Sequence, residues 1–328
     1  MQFNSKKNIK ADSLSDDLKF ALDNPLYSDV KIKGNDGKEI SAHLIILVAR
    51  SEMFRLLIEM KDSTQNVIEF PEFSSKTLHV VLEYLYTGKV TEATLKIEII
   101  AKAFHSADYF LLEPLKHQII EFFTYYLTSH EDRINVSAKI LSQLLKFMDT
   151  SNNELANSLC NIINSAPLKS IEYCNLNDKA LNYILSKIER EESEEYSKSE
   201  YELLHYIILW AANEISEDAF SFYKSYLPST EIIERFDSTF MQKWKGNFLY
   251  NMEESHAKYR STMIKKTSSL IKYVNLRQIH PLVISNVIEP LNGIVDFKIL
   301  IDTYRNQALL AEKYLIYREK LLVVKKAS

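Results

Sequence analysis

The chain contains little glycine and little proline, 5 and 7 of its 328 residues. Folds made of many short strands need frequent turns built from these two residues. Their scarcity therefore argues against a β-sandwich, a propeller and a linker-rich chain. Five glycines also cannot build the glycine-rich loops that hold nucleotide phosphates. We therefore expect no bound nucleotide.

Cysteine is equally rare, with Cys160 and Cys174 as the two examples. Two thiols form neither a disulfide framework nor a four-cysteine zinc site. The eight histidines are scattered, and none pairs with another at a spacing typical of metal ligands. We expect both cysteines to be buried, reduced thiols, and we expect no metal and no cofactor.

Long apolar runs and an excess of basic residues are also missing. The run Leu44–Ala49 is far shorter than the roughly 20 apolar residues that a membrane span needs. Met1–Lys10 is polar and lacks the apolar segment of a secretory signal. We therefore expect no membrane partner and a cytoplasmic location, with the nucleus as a further location. The net charge of −4 also predicts no nucleic-acid partner.

Strands and helices are both predicted within the first 125 residues or so. Residues 28–42 alternate apolar and polar side chains around Asn35-Asp36-Gly37, which predicts a hairpin. A third strand is predicted over Val67–Phe70. Because Leu44–Ala49 is apolar all round, it predicts a helix buried on several sides. A further helix is predicted between an N-cap at Ser74 and a stop at Gly88.

Beyond about residue 125 the apolar spacing is helical and predicts no strands. The last helix is predicted over about Ile299–Val324. Between two helical stretches, Glu189–Glu202 is strongly acidic and predicts a solvated loop flanking a helix. The fold class that follows is an α+β domain followed by an all-α domain.

Several short segments of the first region occur in the order found in one known family. They are Ser28-Asp29-Val30, Ile40–Leu47 with His43 inside it, Ala49–Phe54, Leu82–Gly88 and Ala107-Asp108-Tyr109. Together these segments resemble the BTB/POZ domain. The resemblance implies an α+β fold that serves protein interaction.

The later region resembles the BACK domain, a helical domain that often follows BTB. The similar segments are Tyr173-Cys174, Leu181–Leu185, Glu200–Leu204, Trp210-Ala211 and His280–Pro290. No segment resembles kelch repeats. The resemblance predicts an α+β BTB/POZ domain followed by an all-α BACK-like helical domain. The expected division is an N-terminal dimerisation helix region at 1–24, the BTB/POZ domain at 25–128, the BACK-like domain at 129–312 and the C-terminal helix end and tail at 313–328.

A terminal apolar stripe precedes the BTB-like region. Leu14, Leu18 and Leu22 recur at helical spacing, and such a stripe must bury against its own domain or a second copy. Because BTB domains typically dimerise through an N-terminal helix, the resemblance favours the second copy. We therefore predict a homodimer with this stripe in its interface.

The resemblance also implies a contact with a cullin. Relatives carry an apolar residue, any residue and a glutamate after the helix that ends at Phe54, and Met60-Lys61-Asp62 occupies that place here. A solvated loop is the alternative interpretation. Phe110 aligns with a position that faces the cullin in relatives, although a core role fits it equally well.

Nothing in the sequence predicts catalysis. His43 lies near Asp29, but a histidine alone lacks a nucleophile and an oxyanion site, so we expect a core histidine bonded to the backbone or to Asp29. The predicted function is a non-enzymatic, homodimeric adaptor that bridges a cullin–RING E3 ubiquitin ligase to an unknown protein substrate. The alternative is a BTB-mediated oligomeric scaffold with no ligase role.

Overall fold

The computed structural model describes residues 13–60, 66–149, 153–188, 198–233 and 252–309. The chain divides into two compact units, Met1–Ile162 and Ile163–Ser328. The first unit therefore extends beyond the predicted BTB/POZ boundary at residue 128. The predicted domain boundaries stay predictions, since compact units need not coincide with sequence families.

The first unit contains a three-stranded sheet in the order β2-β1-β3. Strand β1 is Val30–Gly34, β2 is Glu39–Ala42 and β3 is Val67–Phe70. Strands β1 and β2 pair antiparallel, with Ile32 opposite Ile40, as the predicted hairpin requires. Strand β3 pairs parallel with β1, and a parallel pair needs a crossover connection, which the helices between β2 and β3 supply.

Helix α4 packs against strands β1 and β2 and is central among the helices of this unit. Both α1 and α2 pack against α4, and α5 packs against α4, α6 and α7. The helices are α1 Leu14–Ala21, α2 Leu44–Arg50, α3 Glu52–Glu59, α4 Ser75–Thr87, α5 Ile100–Tyr109, α6 Glu113–Thr128, α7 Arg133–Leu144 and α8 Glu154–Asn164, with a 3-10 turn at Ile97–Ile99.

The ends of α4 confirm the predicted cap and stop. The Ser74 hydroxyl accepts the Thr77 N–H, and Gly88 ends the helix with φ +76°. Asp36, in the hairpin turn, also accepts the Ser75 N–H at 3.0 Å, which ties the turn to the helix. A Cβ atom on Gly34 would lie 2.5 Å from the Ser75 nitrogen, so only glycine permits this approach.

The prediction for the apolar run Leu44–Ala49 is wrong in one respect. The run is helical, as expected, but only Leu47 of α2 is buried. Ile45 is 75% exposed. A short helix that packs against α4 on one side leaves its other side at the surface, whatever residues occupy it.

The second unit is helical, and no strand occurs among its described residues. Its helices are α9 Asp178–Lys187, α10 Lys198–Asn213, α11 Glu217–Tyr226, α12 Thr230–Ile233, α13 Met252–Thr267 and α14 over residues 297–309. Between α13 and α14, the turn Pro281–Val283 continues into a π-helix, Ile284–Ile288. Short 3-10 turns occur at Leu168–Ser170, Tyr173–Asn175, Ile271–Tyr273, Leu276–Gln278 and Glu289–Leu291.

Of three further expectations, the first two need correction. Glu200 is buried in α10 and accepts the Asn275 N–H at 2.7 Å, so this end of the acidic stretch is not a solvated loop. Residues 189–197 of the stretch lie outside the described residues. Cys160 is buried, but Cys174 is exposed because it lies in a surface 3-10 turn. The last helix begins at residue 297, and its predicted part beyond 309 lies outside the described residues.

Candidate protein-interaction site

Helix α1 is fastened to α4 by polar side chains. The Lys19 ammonium lies 2.9 Å from a carboxylate oxygen of Glu83, whose side chain is 1% exposed. The Ser15 hydroxyl donates to the Thr87 carbonyl near the end of α4. Burial alone would raise the pKa of Glu83, but hydrogen bonds from Lys19, Thr94 and Thr91 outweigh it and hold the pKa below its ordinary value.

The chain between α1 and β1 is fixed to the sheet and to α2. The Asp23 N–H donates to the Ser41 carbonyl, and the Asp23 carboxylate accepts the Ser41 N–H, both at 3.1 Å. The Asp29 carboxylate then accepts the Leu44 N–H at 2.7 Å. Tyr27 lies between these anchors with φ +65°, a conformation that costs about 1–3 kcal/mol in a residue other than glycine.

Exposed apolar side chains occur on α1, in the turn after it and at the start of α2. We name Leu14, Phe20, Leu26, Tyr27 and Ile45 the α1–α2 apolar set; they are 73%, 64%, 54%, 85% and 75% exposed. Of the predicted dimer residues, Leu14 is therefore free to meet a partner. Leu18 and Leu22 are half-buried on their own domain.

Sequence reasoning missed Phe20, Tyr27 and Ile45. Phe20 lies off the spacing of the leucine stripe, and Ile45 lies in the run that was predicted to be buried. The available signal for Tyr27 was an aromatic residue two positions after Asn24-Pro25, a pair typical of turns at the surface.

A second exposed region lies at the end of α3. Met60 caps this helix and is 87% exposed, and Leu56 is 40% exposed. Arg55 forms ion pairs with Glu52 and Glu59 on the same helix. Lys61 and Asp62, which complete the predicted cullin contact, lie outside the described residues.

Phe110 does not lie on this surface, and the prediction that it faces a cullin needs correction. It is fully buried and stacks on Phe54 with ring centroids 4.8 Å apart. Phe70 meets both rings edge-on, at 5.8 and 5.1 Å. Such aromatic pairs add about 0.5–1.5 kcal/mol beyond the burial itself, so Phe110 is a core residue.

The next residue, Leu111, is exposed where Phe110 is not. It is 66% exposed and has φ +57°, in the turn between α5 and α6. Leu111 is therefore the exposed apolar residue nearest in sequence to Phe110. The Phe54–Phe110 stack connects this turn to α3. Met60, Leu56 and Leu111 are hereafter the α3 apolar set.

His43 has a structural role, but its partner differs from the one expected. The His43 N–H donates to the Tyr86 hydroxyl at 2.8 Å, and its Nδ1 lies 2.9 Å from the same oxygen. Asp29 instead binds the first turn of α2. Burial raises the pKa of Tyr86 to about 12, so the hydroxyl stays protonated.

The described residues hold no group of three or more metal-ligating side chains. In the same parts of the chain, no helix is long and apolar enough to cross a membrane. Among its described residues, the first unit presents exposed apolar side chains in the α1–α2 apolar set and the α3 apolar set, and also at Tyr125 on α6. Such surfaces are typical of protein-interaction sites.

Comparison with known proteins identifies the family of part of this region. Residues 19–127 match the model of the BTB/POZ domain family. This part of the chain is therefore a BTB/POZ domain, a family that is typically an interaction module rather than an enzyme.

The relatives include a BTB/POZ domain-containing protein of Arabidopsis thaliana, 29% identical over 130 residues, which are 38% of this chain and 42% of that protein. TD and POZ domain-containing protein 2 of Mus musculus is 37% identical over 78 residues, 23% of this chain and 21% of that protein. Among solved structures, the BTB domain of human Gigaxonin covers 37% of this chain and 99% of that domain, at 24% identity and a TM-score of 0.28. The chain thus spans less than half the length of these two relatives.

Proposed function

We propose that this chain is a non-enzymatic, homodimeric adaptor that bridges a cullin–RING E3 ubiquitin ligase to a protein substrate. The observation that carries the proposal is the BTB/POZ match together with Met60, 87% exposed at the end of α3. A BACK-like second domain would extend the cullin-binding face and hold the substrate. The proposed location is the cytoplasm, with the nucleus as a further location.

The α1–α2 apolar set supports the homodimer. Burying one large apolar side chain contributes roughly 1.5–3 kcal/mol, so five such residues repeated by two-fold symmetry make a substantial interface. The polar contacts of Lys19 and Ser15 hold α1 on its own domain while Leu14 and Phe20 remain available to a second copy.

The dimer is tested by light scattering of the full chain at micromolar concentration. We expect a dimer. Leu14→Glu combined with Phe20→Glu should give monomers, because it places two charges in the proposed interface. Both side chains are exposed, so the double substitution should leave the fold intact. Tyr125→Glu is the matched control, because Tyr125 is 71% exposed on α6 of the same unit. A monomeric wild type would overturn the homodimer.

The α3 apolar set supports the cullin contact. An exposed apolar anchor whose surroundings become dry on binding commonly dominates an interface. Met60→Ala should therefore weaken the complex by about 1–2 kcal/mol, a five- to thirty-fold loss of affinity. Asp62, one methylene shorter than the family's glutamate, should contribute less than about 1 kcal/mol, and Asp62→Glu should tighten binding.

Titration calorimetry of the full chain against an N-terminal cullin fragment measures these changes. Tyr125→Ala serves as the control for loss of an exposed aromatic elsewhere on the unit. Absence of binding with the dimer intact would leave the alternative, a BTB-mediated oligomeric scaffold without a ligase role. Binding that ignores both Met60→Ala and Asp62→Glu would keep the ligase role and discard these contact residues.

A further inference from the structure

The second unit contains a cavity of about 860 Å³ beside α13 and the segment 289–300. Ligand-binding clefts in proteins commonly measure about 300–1,000 Å³, so this one has room for several side chains. Its apolar lining comes from both sides, with Ile264 and Ile271 on one side and Ile294, Val295 and Leu300 on the other.

The wall over residues 292–296 is held close to α13 by a glycine. Gly293 has φ +93°, and a Cβ atom on it would lie 2.8 Å from the Ile264 side chain. The neighbouring Asn292 accepts a hydrogen bond from the Arg260 guanidinium at 3.2 Å. Glycine at this position therefore lets the backbone of residues 292–296 come close to α13.

Three charged groups line the cavity without forming ion pairs among the described residues. Glu289 accepts the Tyr304 hydroxyl, and Asp296 accepts the Lys298 N–H, each at 2.7 Å. The third group, Arg260, donates to Asn292. Two carboxylates against one guanidinium leave an excess of negative charge in the lining, so the cavity favours a cationic group over an anionic one.

Exposed apolar side chains stand beside these carboxylates. Phe297 is 70% exposed and Ile299 is 43% exposed, and both line the cavity. An occupant that satisfies the site must therefore bring an apolar group and a cation together. A peptide segment does so with two neighbouring side chains, and its length suits the size of the cavity.

We propose that this cavity binds a short segment of a protein partner in which lysine or arginine stands next to an apolar residue. The cation would pair with Glu289 and Asp296, and the apolar side chain would cover Phe297 and Ile299. The inference rests on the proposed adaptor function, because it names the substrate-binding site of the adaptor. Its test needs no cullin and can therefore fail or succeed separately.

The experiment selects a displayed library of random dodecapeptides on the full-length protein. Enriched peptides are then synthesised, and their affinities are measured by fluorescence anisotropy. We expect enrichment of peptides with a basic residue beside an apolar one. Glu289→Gln combined with Asp296→Asn keeps both acceptor oxygens while removing both charges, and should weaken binding about three- to tenfold.

Two further variants test whether the cavity prefers a positively charged peptide. Asp302→Asn is the matched control, since Asp302 lies on α14 outside the cavity and pairs with Arg305, and it should leave binding unchanged. Arg260→Gln removes the opposing charge and should strengthen binding about two- to fivefold. Variants are compared only where their melting temperatures equal that of the wild type.

Several outcomes overturn the proposal: a library that enriches no peptide, enriched peptides that are acidic or uncharged, or equal affinity for the wild type and the double carboxylate variant. Cullin binding is measured in parallel on the same double variant. If peptides bind as expected and no cullin does, the ligase role fails while the peptide site stands.

Discussion

Both units cap helices with small polar side chains, but the second unit also satisfies buried carbonyls with large aromatic side chains. In the first unit, small and charged side chains accept backbone N–H groups at the ends of helices, as Asp36 and Ser74 do at the start of α4. In the second unit, large aromatic side chains donate to backbone carbonyls. Tyr201, Tyr206, Trp210 and Tyr226 bond to the carbonyls of Pro228, Ile171, Leu176 and Val287 at 2.8, 3.2, 2.8 and 3.0 Å.

The backbone explains this difference. The first unit joins regular helices whose end groups short polar caps can reach. The second contains many 3-10 turns and a π-helix, which leave carbonyls buried without a regular partner. A buried tyrosine or tryptophan reaches such a carbonyl while its ring fills the core. A helical unit with irregular turns thus needs buried aromatic donors, and this chain has 19 tyrosines.

The largest expected effect comes from removing one central ring in each unit. Phe54→Ala and Trp210→Ala should each lower the free energy of unfolding by about 3–5 kcal/mol, because both rings are fully buried. Amide hydrogen exchange can be measured for each unit separately. Phe54→Ala should raise the exchange rates in the first unit, and Trp210→Ala should raise them in the second. Tyr125→Ala, at an exposed site, is the control. Equal increases of the exchange rates in both units for both variants would contradict the expectation that each ring stabilises its own unit.

The next effect isolates one hydroxyl in each unit. Tyr86→Phe strands the His43 N–H, and Tyr226→Phe strands the Val287 carbonyl. Each should cost about 1–3 kcal/mol, the penalty of leaving a buried polar group unpaired. Urea unfolding measures both. A cost near zero for Tyr226→Phe would show that the aromatic donors of the second unit fill space without satisfying its backbone.

A smaller effect concerns pH and belongs to the first unit. The folded pKa of Glu83 lies below its ordinary value of 4.5, so the unfolded state binds more protons in this range. The contribution of Glu83 is complete above about pH 4.5 and is lost as the pH falls through the folded pKa. Glu83→Gln should therefore cost about 1–2 kcal/mol at pH 7 and less at pH 4.

Urea titrations at the two pH values measure this difference. Glu92→Gln is the control, because Glu92 is exposed on the same loop as Thr91 and its substitution leaves the Lys19–Glu83 contact in place. A Glu83→Gln cost that is equal at both pH values would mean that the Lys19–Glu83 contact adds nothing electrostatic to the placement of α1.

The smallest expected effect is a surface ion pair of the second unit. Lys266 lies 3.2 Å from Glu214 and 5.8 Å from the centre of the Trp210 ring, and about a third of each charged side chain is exposed. Lys266→Met should cost less than about 1 kcal/mol, since solvent screens such a pair. Lys265→Met, at the exposed neighbour, provides the control in thermal unfolding. If Lys266→Met lowered the free energy of unfolding as much as Glu83→Gln does, the exposed ion pair of the second unit would contribute as much as the Lys19–Glu83 contact of the first unit.

Local sequence patterns predicted much of the first unit. The hairpin, the third strand, and the cap and stop of α4 all depend on residues close together in the chain, where alternation and capping act directly. The short segments that resemble BTB/POZ lie on these elements, and the family match over 19–127 includes them. For the second unit, helical spacing predicted the helices but neither the π-helix nor the carbonyls that the aromatic side chains bond.

For the candidate sites as well, local sequence predicted some features and only tertiary packing decided the others. Met60 was predicted as a contact from its place after a motif, and that contact stays a prediction. Ile45 was assigned to the wrong environment, and for Phe110 the core role is correct rather than the cullin contact. Apolar composition gives the same signal for a core residue and for an exposed one. Which of them is covered depends on the packing of elements that are distant in sequence.

The sequence alone determined the order of strands and helices, the caps of α4 and the BTB/POZ character of the first region, because these follow from neighbouring residues. Only the tertiary structure decided that Phe110 is buried while Leu111 is exposed, that His43 pairs with Tyr86, and that Glu289 and Asp296 share a cavity with Ile264. Such pairings join residues far apart in the chain. They depend on how the elements pack, and the periodicity of apolar residues along the chain does not predict that packing.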